Sequence, residues 1–161
     1  MRRRRGEPER DLREHIQVFV RRFGLLAPNT TPCSKPLAVS HAHALMLLLE
    51  SRRRGERPSQ QVLVRALGLD KSSVARLSAK MERAGHIVQR PAPHDGRSRL
   101  LHLTARGARV AATVEAASRE RFARVLAAVP VAKRPTLMAG LILLNQAVAA
   151  ATAPEPPAEE R

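Results

Sequence analysis

Apolar positions recur at helical spacing from the start of the chain. From Glu9, Leu12, Ile16, Phe19, Val20 and Phe23 share a face, with Arg13, Glu14, Gln17, Arg21 and Arg22 elsewhere, which predicts an amphipathic helix over about 9–26. Three prolines between Pro28 and Pro36 predict a loop. Ser40 is placed to cap the next helix, whose AHALMLLL run is apolar almost all round, the pattern of a helix buried mid-domain. Arg52, Arg53, Arg54 and Gly55 end it.

Beyond it the elements shorten. Pro58-Ser59 opens a helix reaching about Leu67, and Gly68 stands where a helix exit favours a left-handed residue. Asp70 can cap the following helix, whose apolar stripe is Val74, Leu77 and Met81 and whose exit is Gly85. Two short helices around so tight a turn predict a helix-turn-helix. Residues 86–90 and 98–103 read as two short strands, with Asp95-Gly96 the strongest hairpin signal between them. Thr104 is placed to cap a long helix with an apolar side of Val110, Val114, Ala117, Phe122, Val125 and Val129. Pro130 and Pro135 separate it from a last helix over about 135–150. There Leu137, Leu141, Leu144 and Val148 form a seam for a partner helix. The fold class is therefore mainly α with a small two-stranded β wing: a winged helix-turn-helix flanked by N- and C-terminal helices.

Charge adds a partner. The 161 residues carry 29 Lys and Arg against 14 Asp and Glu, a net +15, and only 2% are aromatic. Such a chain seeks polyanions, and the shortage of rings argues for duplex rather than base-stacked single strands. Residues 70–109 hold nine basic and three acidic side chains, a net +6. The outward positions of the helix after Asp70 include Lys71, Ser72, Ser73, Arg76 and Lys80, small near the start and basic beyond, as a helix entering the major groove requires.

The stretch KSSVARLSAKMERAGHIVQRPAPHDGRSRLLHLTARG resembles the recognition helix and wing of MarR-type regulators. The shared features are the Ser-rich helix start, the exit at Met81 and Gly85, the tip Asp95-Gly96-Arg97-Ser98, and Leu103-Thr104 with Gly107 opening the next helix. The resemblance is strong over about 58–107 and architectural only over 9–57 and 108–150. It implies a homodimer joined through the first and last helices, bound to a pseudo-palindromic operator on double-stranded DNA and most often repressing. It also implies that Arg97 enters the minor groove, oriented by Asp95, with Ser98 and Arg99 beside it on the wing. The domain plan is then a disordered basic arm (1–8), a MarR-like domain (9–150) and a disordered tail (151–161). Within the domain, the DNA-binding lobe spans about 38–104, and the dimerisation helices about 9–26 and 104–150.

Other signals compete with these. Phe19, Phe23 and Phe122 are the whole aromatic supply; they read as core or dimer packing, or as the cleft for a small-molecule effector that relatives of the family use. Cys33, beside Lys35, reads as an incidental thiol or as a redox sensor. One cysteine excludes a disulfide framework and CxxC zinc motifs. His41 and His43 lie two apart and do not share a helical face, so no metal and no cofactor is expected. No nucleotide-binding loop, HExxH or complete GxSxG occurs, and an enzyme is not expected. The uncharged 135–154 stretch is interrupted by Asn145 and Gln146, so no membrane span is expected and a cytoplasmic location follows. The reading is a DNA-binding transcriptional regulator, with a ligand-independent or architectural DNA binder as one alternative and a basic helical protein that associates with membranes or proteins as another.

Overall fold

The computed structural model describes residues 7–27, 29–93 and 95–152, the side chains of 95–97 excepted. The order is α1 (Pro8–Phe23), α2 (Val39–Arg53), α3 (Gln60–Leu67), α4 (Lys71–Arg83), β1 (Ile87–Ala92), β2 (Asp95–Leu103), α5 (Ala105–Ala127), a 3-10 turn (Val131–Lys133) and α6 (Arg134–Ala151). The chain divides into two compact units, residues 1–119 and 120–161.

The core lies in the first unit. Leu45 and Leu48 of α2, Leu63 of α3, and Val74, Leu77 and Met81 of α4 meet Ile87 and Leu101 of the two strands, and Ala111 of α5 joins them. α2 buries six of its residues, as its all-round apolar pattern predicted. Gly68 and Gly85, both left-handed at φ 62° and 69°, turn the chain out of α3 and α4. Thr104 Oγ1 accepts the Gly107 amide at 2.9 Å and donates to the Gly85 carbonyl at 2.7 Å, so one hydroxyl caps α5 and holds the α4 exit.

Two local expectations are corrected. Ser40 does not cap α2: the N-cap is Ala38 and no side chain bonds there, because the helix already begins at Val39. Asp95-Gly96 is not the hairpin turn. Both residues lie in β2, Asp95 pairs with Ala92, and the connection is Pro93-His94, of which His94 lies outside the described residues. The register shifts between Pro91 and Ala92; Pro91 has no amide hydrogen for a regular ladder, so the strands run on past it irregularly. A third stretch joins the sheet edge, through a Ser59–Leu100 bridge and a Leu101 amide bond to the Pro58 carbonyl at 2.9 Å.

The second unit, taken by itself, buries none of its described residues. Leu137, Met138, Leu141, Ile142 and Val148 of α6 all face out. α1 likewise buries no residue. No single described helix is long and apolar enough to cross a membrane.

Candidate nucleic-acid interface

α4 turns its apolar stripe inward and its polar residues outward. Val74, Leu77, Ser78 and Met81 are buried, while Lys71, Ser72, Arg76 and Lys80 are exposed and Ser73 is half-buried. The helix start is closed by Asp70. Its carboxylate accepts the Ser73 amide at 2.8 Å, the Ser72 hydroxyl at 2.6 Å and the Ser73 hydroxyl at 2.7 Å. These bonds hold the Asp70 carboxyl well below the usual carboxylate range, the Ser72 hydroxyl being the largest cause. Ser73 Oγ in turn accepts from Arg76 Nη2 at 3.1 Å. The hydroxyl hydrogens of both serines are thus engaged within the protein, and Ser72 presents its oxygen outward as an acceptor.

A chain of polar side chains joins the helix-turn-helix to the wing. Gln60 Nε2 at the start of α3 donates to Gln89 Oε1 at 2.7 Å. Gln89 donates its amide and its Nε2 to the Glu82 carboxylate of α4, both at 2.9 Å. Both bonds lower the Glu82 carboxyl, the side-chain bond from Gln89 foremost, and the nearby Arg99 guanidinium adds to the effect. α3, α4 and β1 are thereby locked into one block. The periodicity of apolar positions carries no trace of this chain, since all three residues read as ordinary surface polars.

On the wing, Ser98 is half-buried and Arg99 exposed. The side chains of Asp95 and Arg97 lie outside the described residues. Phe19 and Phe23 stack with ring centroids 5.0 Å apart and planes at 23°, whereas Phe122 belongs to the other compact unit. Cys33 Sγ lies 3.0 Å from Thr31 Oγ1 in the loop before α2. His41 and His43 part company as helical spacing requires: His43 is exposed, and His41 is buried with Nε2 3.0 Å from His86 Nδ1. Among the described residues no three His, Cys, Asp or Glu side chains gather to hold a metal.

The MarR family model matches residues 36–98. Among solved structures, a probable transcriptional regulator from Pseudomonas aeruginosa is 24% identical, with a TM-score of 0.66 over 86% of this chain and 97% of that one. FabT of Streptococcus pneumoniae, solved with DNA, is 14% identical, with a TM-score of 0.69 over 91% and 100%. MepR of S. aureus, also solved with DNA, is 16% identical, with a TM-score of 0.63 over 87% and 94%. At these identities the likeness establishes the fold. No curated protein matches the chain.

Proposed function

We propose that the chain is a transcription factor of the MarR family, whose model matches residues 36–98, and that it is a homodimeric repressor of transcription. It binds a pseudo-palindromic operator in double-stranded DNA, acts in the cytoplasm and is released by a small-molecule or other signal. The observation that carries the reading is the outward face of α4, where Lys71, Arg76 and Lys80 stand exposed beyond a start closed by Asp70. In this reading Lys71, Ser72, Ser73, Arg76 and Lys80 enter the major groove. Asp95, Arg97, Ser98 and Arg99 form the wing contact, with Arg97 in the minor groove. The domain plan follows the same division: a lobe over about 38–104 that binds DNA, and helices over about 9–26 and 104–150 that join two chains.

The dimer is supported by the apolar residues that α1 and α6 leave outside any core, among them Leu12, Phe19, Leu141 and Ile142. A C2 dimer would then present two α4 helices to half-sites one turn of DNA apart. An effector would act by favouring a dimer whose recognition helices are mis-spaced for DNA, and the aromatic residues that could meet it include the stacked pair Phe19 and Phe23 of α1.

The test is a mobility-shift titration against duplex DNA from upstream of the protein's own gene. Sequence-specific retardation is expected, and Arg76→Ala should weaken it by about 1–3 kcal/mol with the dimer intact on light scattering. Retardation that competing DNA of any sequence abolishes would instead favour an architectural binder. No retardation at all would overturn DNA binding.

A further inference from the structure

Gln89 of β1 faces Leu101 of β2 across the wing. The backbone amides of both residues point away from the shared ladder, and both are taken. The Gln89 amide donates to Glu82 of α4 at 2.9 Å, and the Leu101 amide donates to the Pro58 carbonyl ahead of α3, also at 2.9 Å. In an antiparallel pair every second rung turns its amides outward, where a strand edge ordinarily meets water. This rung is instead gripped on both edges, by α4 on one side and by the lead into α3 on the other. The neighbouring Leu100 adds a bridge to Ser59. Gln89 tightens the grip with its side chain: Nε2 donates to the second Glu82 oxygen at 2.9 Å, and Oε1 accepts from Gln60 Nε2 at 2.7 Å.

Beyond the rung the ladder weakens. Arg99 lies opposite Pro91, which has no amide hydrogen to give, and the register shifts at the next residue. The direction in which the outer wing leaves the domain is therefore set at the Gln89–Leu101 rung. Arg99 is two residues from that rung, roughly 7 Å at strand spacing. A wing aimed before DNA arrives avoids the ordering cost that a loose one would incur on binding. We propose that Gln89 and Glu82 are positioning residues for the wing: without touching DNA themselves, they aim Arg99 at it. This rests on the DNA-binding reading of Arg99.

Charge alone makes the opposite prediction for Glu82. An exposed acid beside a wing arginine repels phosphate and attracts the guanidinium, and Arg99 is near enough to lower the Glu82 carboxyl. Were Glu82 only a charge, removing it would strengthen DNA binding and enlarge the share that Arg99 contributes. As part of the wing's mounting, its removal shrinks that share.

The experiment is a set of double-mutant cycles. Dissociation constants are read for the full chain on labelled duplex DNA from upstream of its own gene, at one salt concentration. Arg99→Ala should weaken binding by about tenfold in the wild-type background, and by no more than about twofold in Gln89→Ala or Glu82→Ala. Arg76→Ala, which acts from α4, should cost the same factor in all three backgrounds. The proposal is overturned if Arg99→Ala costs the same in all three, costs nothing in the wild type, or costs more after Glu82→Ala. It is overturned too if the cost of Arg76→Ala shrinks alongside, since Gln89 and Glu82 would then support the domain as a whole. A wild type that retards no duplex fails the DNA-binding reading and this proposal together; every other outcome is read against a wild-type shift. Hydrogen exchange without DNA reads the mounting alone: amides of the outer wing should exchange faster in both variants, and unchanged rates would overturn it whatever the DNA result.

Discussion

Ser72 and Ser73 each possess one hydroxyl hydrogen, and Asp70 takes both. Replacing Asp70 with Ala should therefore do two things. It should cost about 1 kcal/mol of stability through the lost helix cap, read as a lower urea midpoint. It should also free the hydroxyls to donate, changing which bases the helix prefers in a selection from random duplexes. An unchanged midpoint and unchanged preference would show that the Asp70 bonds do not matter in solution. Gly107 makes a harder demand, because a Cβ there would run into the His86 carbonyl oxygen. Gly107→Ala should destabilise by about 1–3 kcal/mol or more, measured by thermal unfolding. The roles of Asp70, Gly68, Gly85 and Thr104 are legible in the sequence, since each acts on backbone a few residues away. Ser40 and Asp95-Gly96 misled because a residue suited to a cap or a turn is also tolerated inside a helix or strand, and the start of α2 and the length of the wing are set by packing and pairing.

Between elements, the most telling contact is His41 of α2 against His86 at the α4 exit, both buried and 3.0 Å apart. A neutral pair fits: one ring donates and the other accepts. Burial, the neighbouring His86 and Lys80 push His41 down to about 4, and burial and Arg106 also lower His86. The unfolded chain titrates such rings near 6.5, so between about pH 6.5 and 4 it binds more protons than the folded one. Stability should thus be complete above pH 6.5 and fall as the pH drops toward 4, by on the order of 2–3 kcal/mol for His41. A His41→Phe variant should flatten that pH dependence in urea unfolding; an equal slope would remove the pair from the account. Gln89→Ala should leave the helices intact yet loosen the wing against α4, seen as faster amide exchange in β1 without loss of helicity. Neither the His pair nor the Gln60–Gln89–Glu82 chain can be read from spacing. They join residues 45, 29 and 7 apart in sequence, while the core stripe of α4 was legible because it repeats within one helix.

For the whole molecule, the net charge of +15 becomes a statement about salt. Each phosphate contact releases counterions, so operator affinity should fall steeply with salt, and Lys71→Ala should lower the log–log slope by about 2 in a dimer. An unchanged slope would take Lys71 off the DNA backbone. The class of fold was visible in the order of its elements. The proposed association of chains is visible only as apolar faces of α1 and α6 that stay exposed among the described residues, for a seam on one helix does not state its partner.

Those uncovered faces have a thermodynamic consequence. Residues 120–152, none of which is fully buried, supply little internal driving force for their own folding. In the proposed dimer their folding is second order, and mass action governs it. The melting temperature should then rise with protein concentration, and below the dimer's dissociation constant α6 should unravel while the α2–α4 core persists. Operator titrations carried out that dilute would be steeper than a single site permits, because each binding event would also have to assemble the protein that binds.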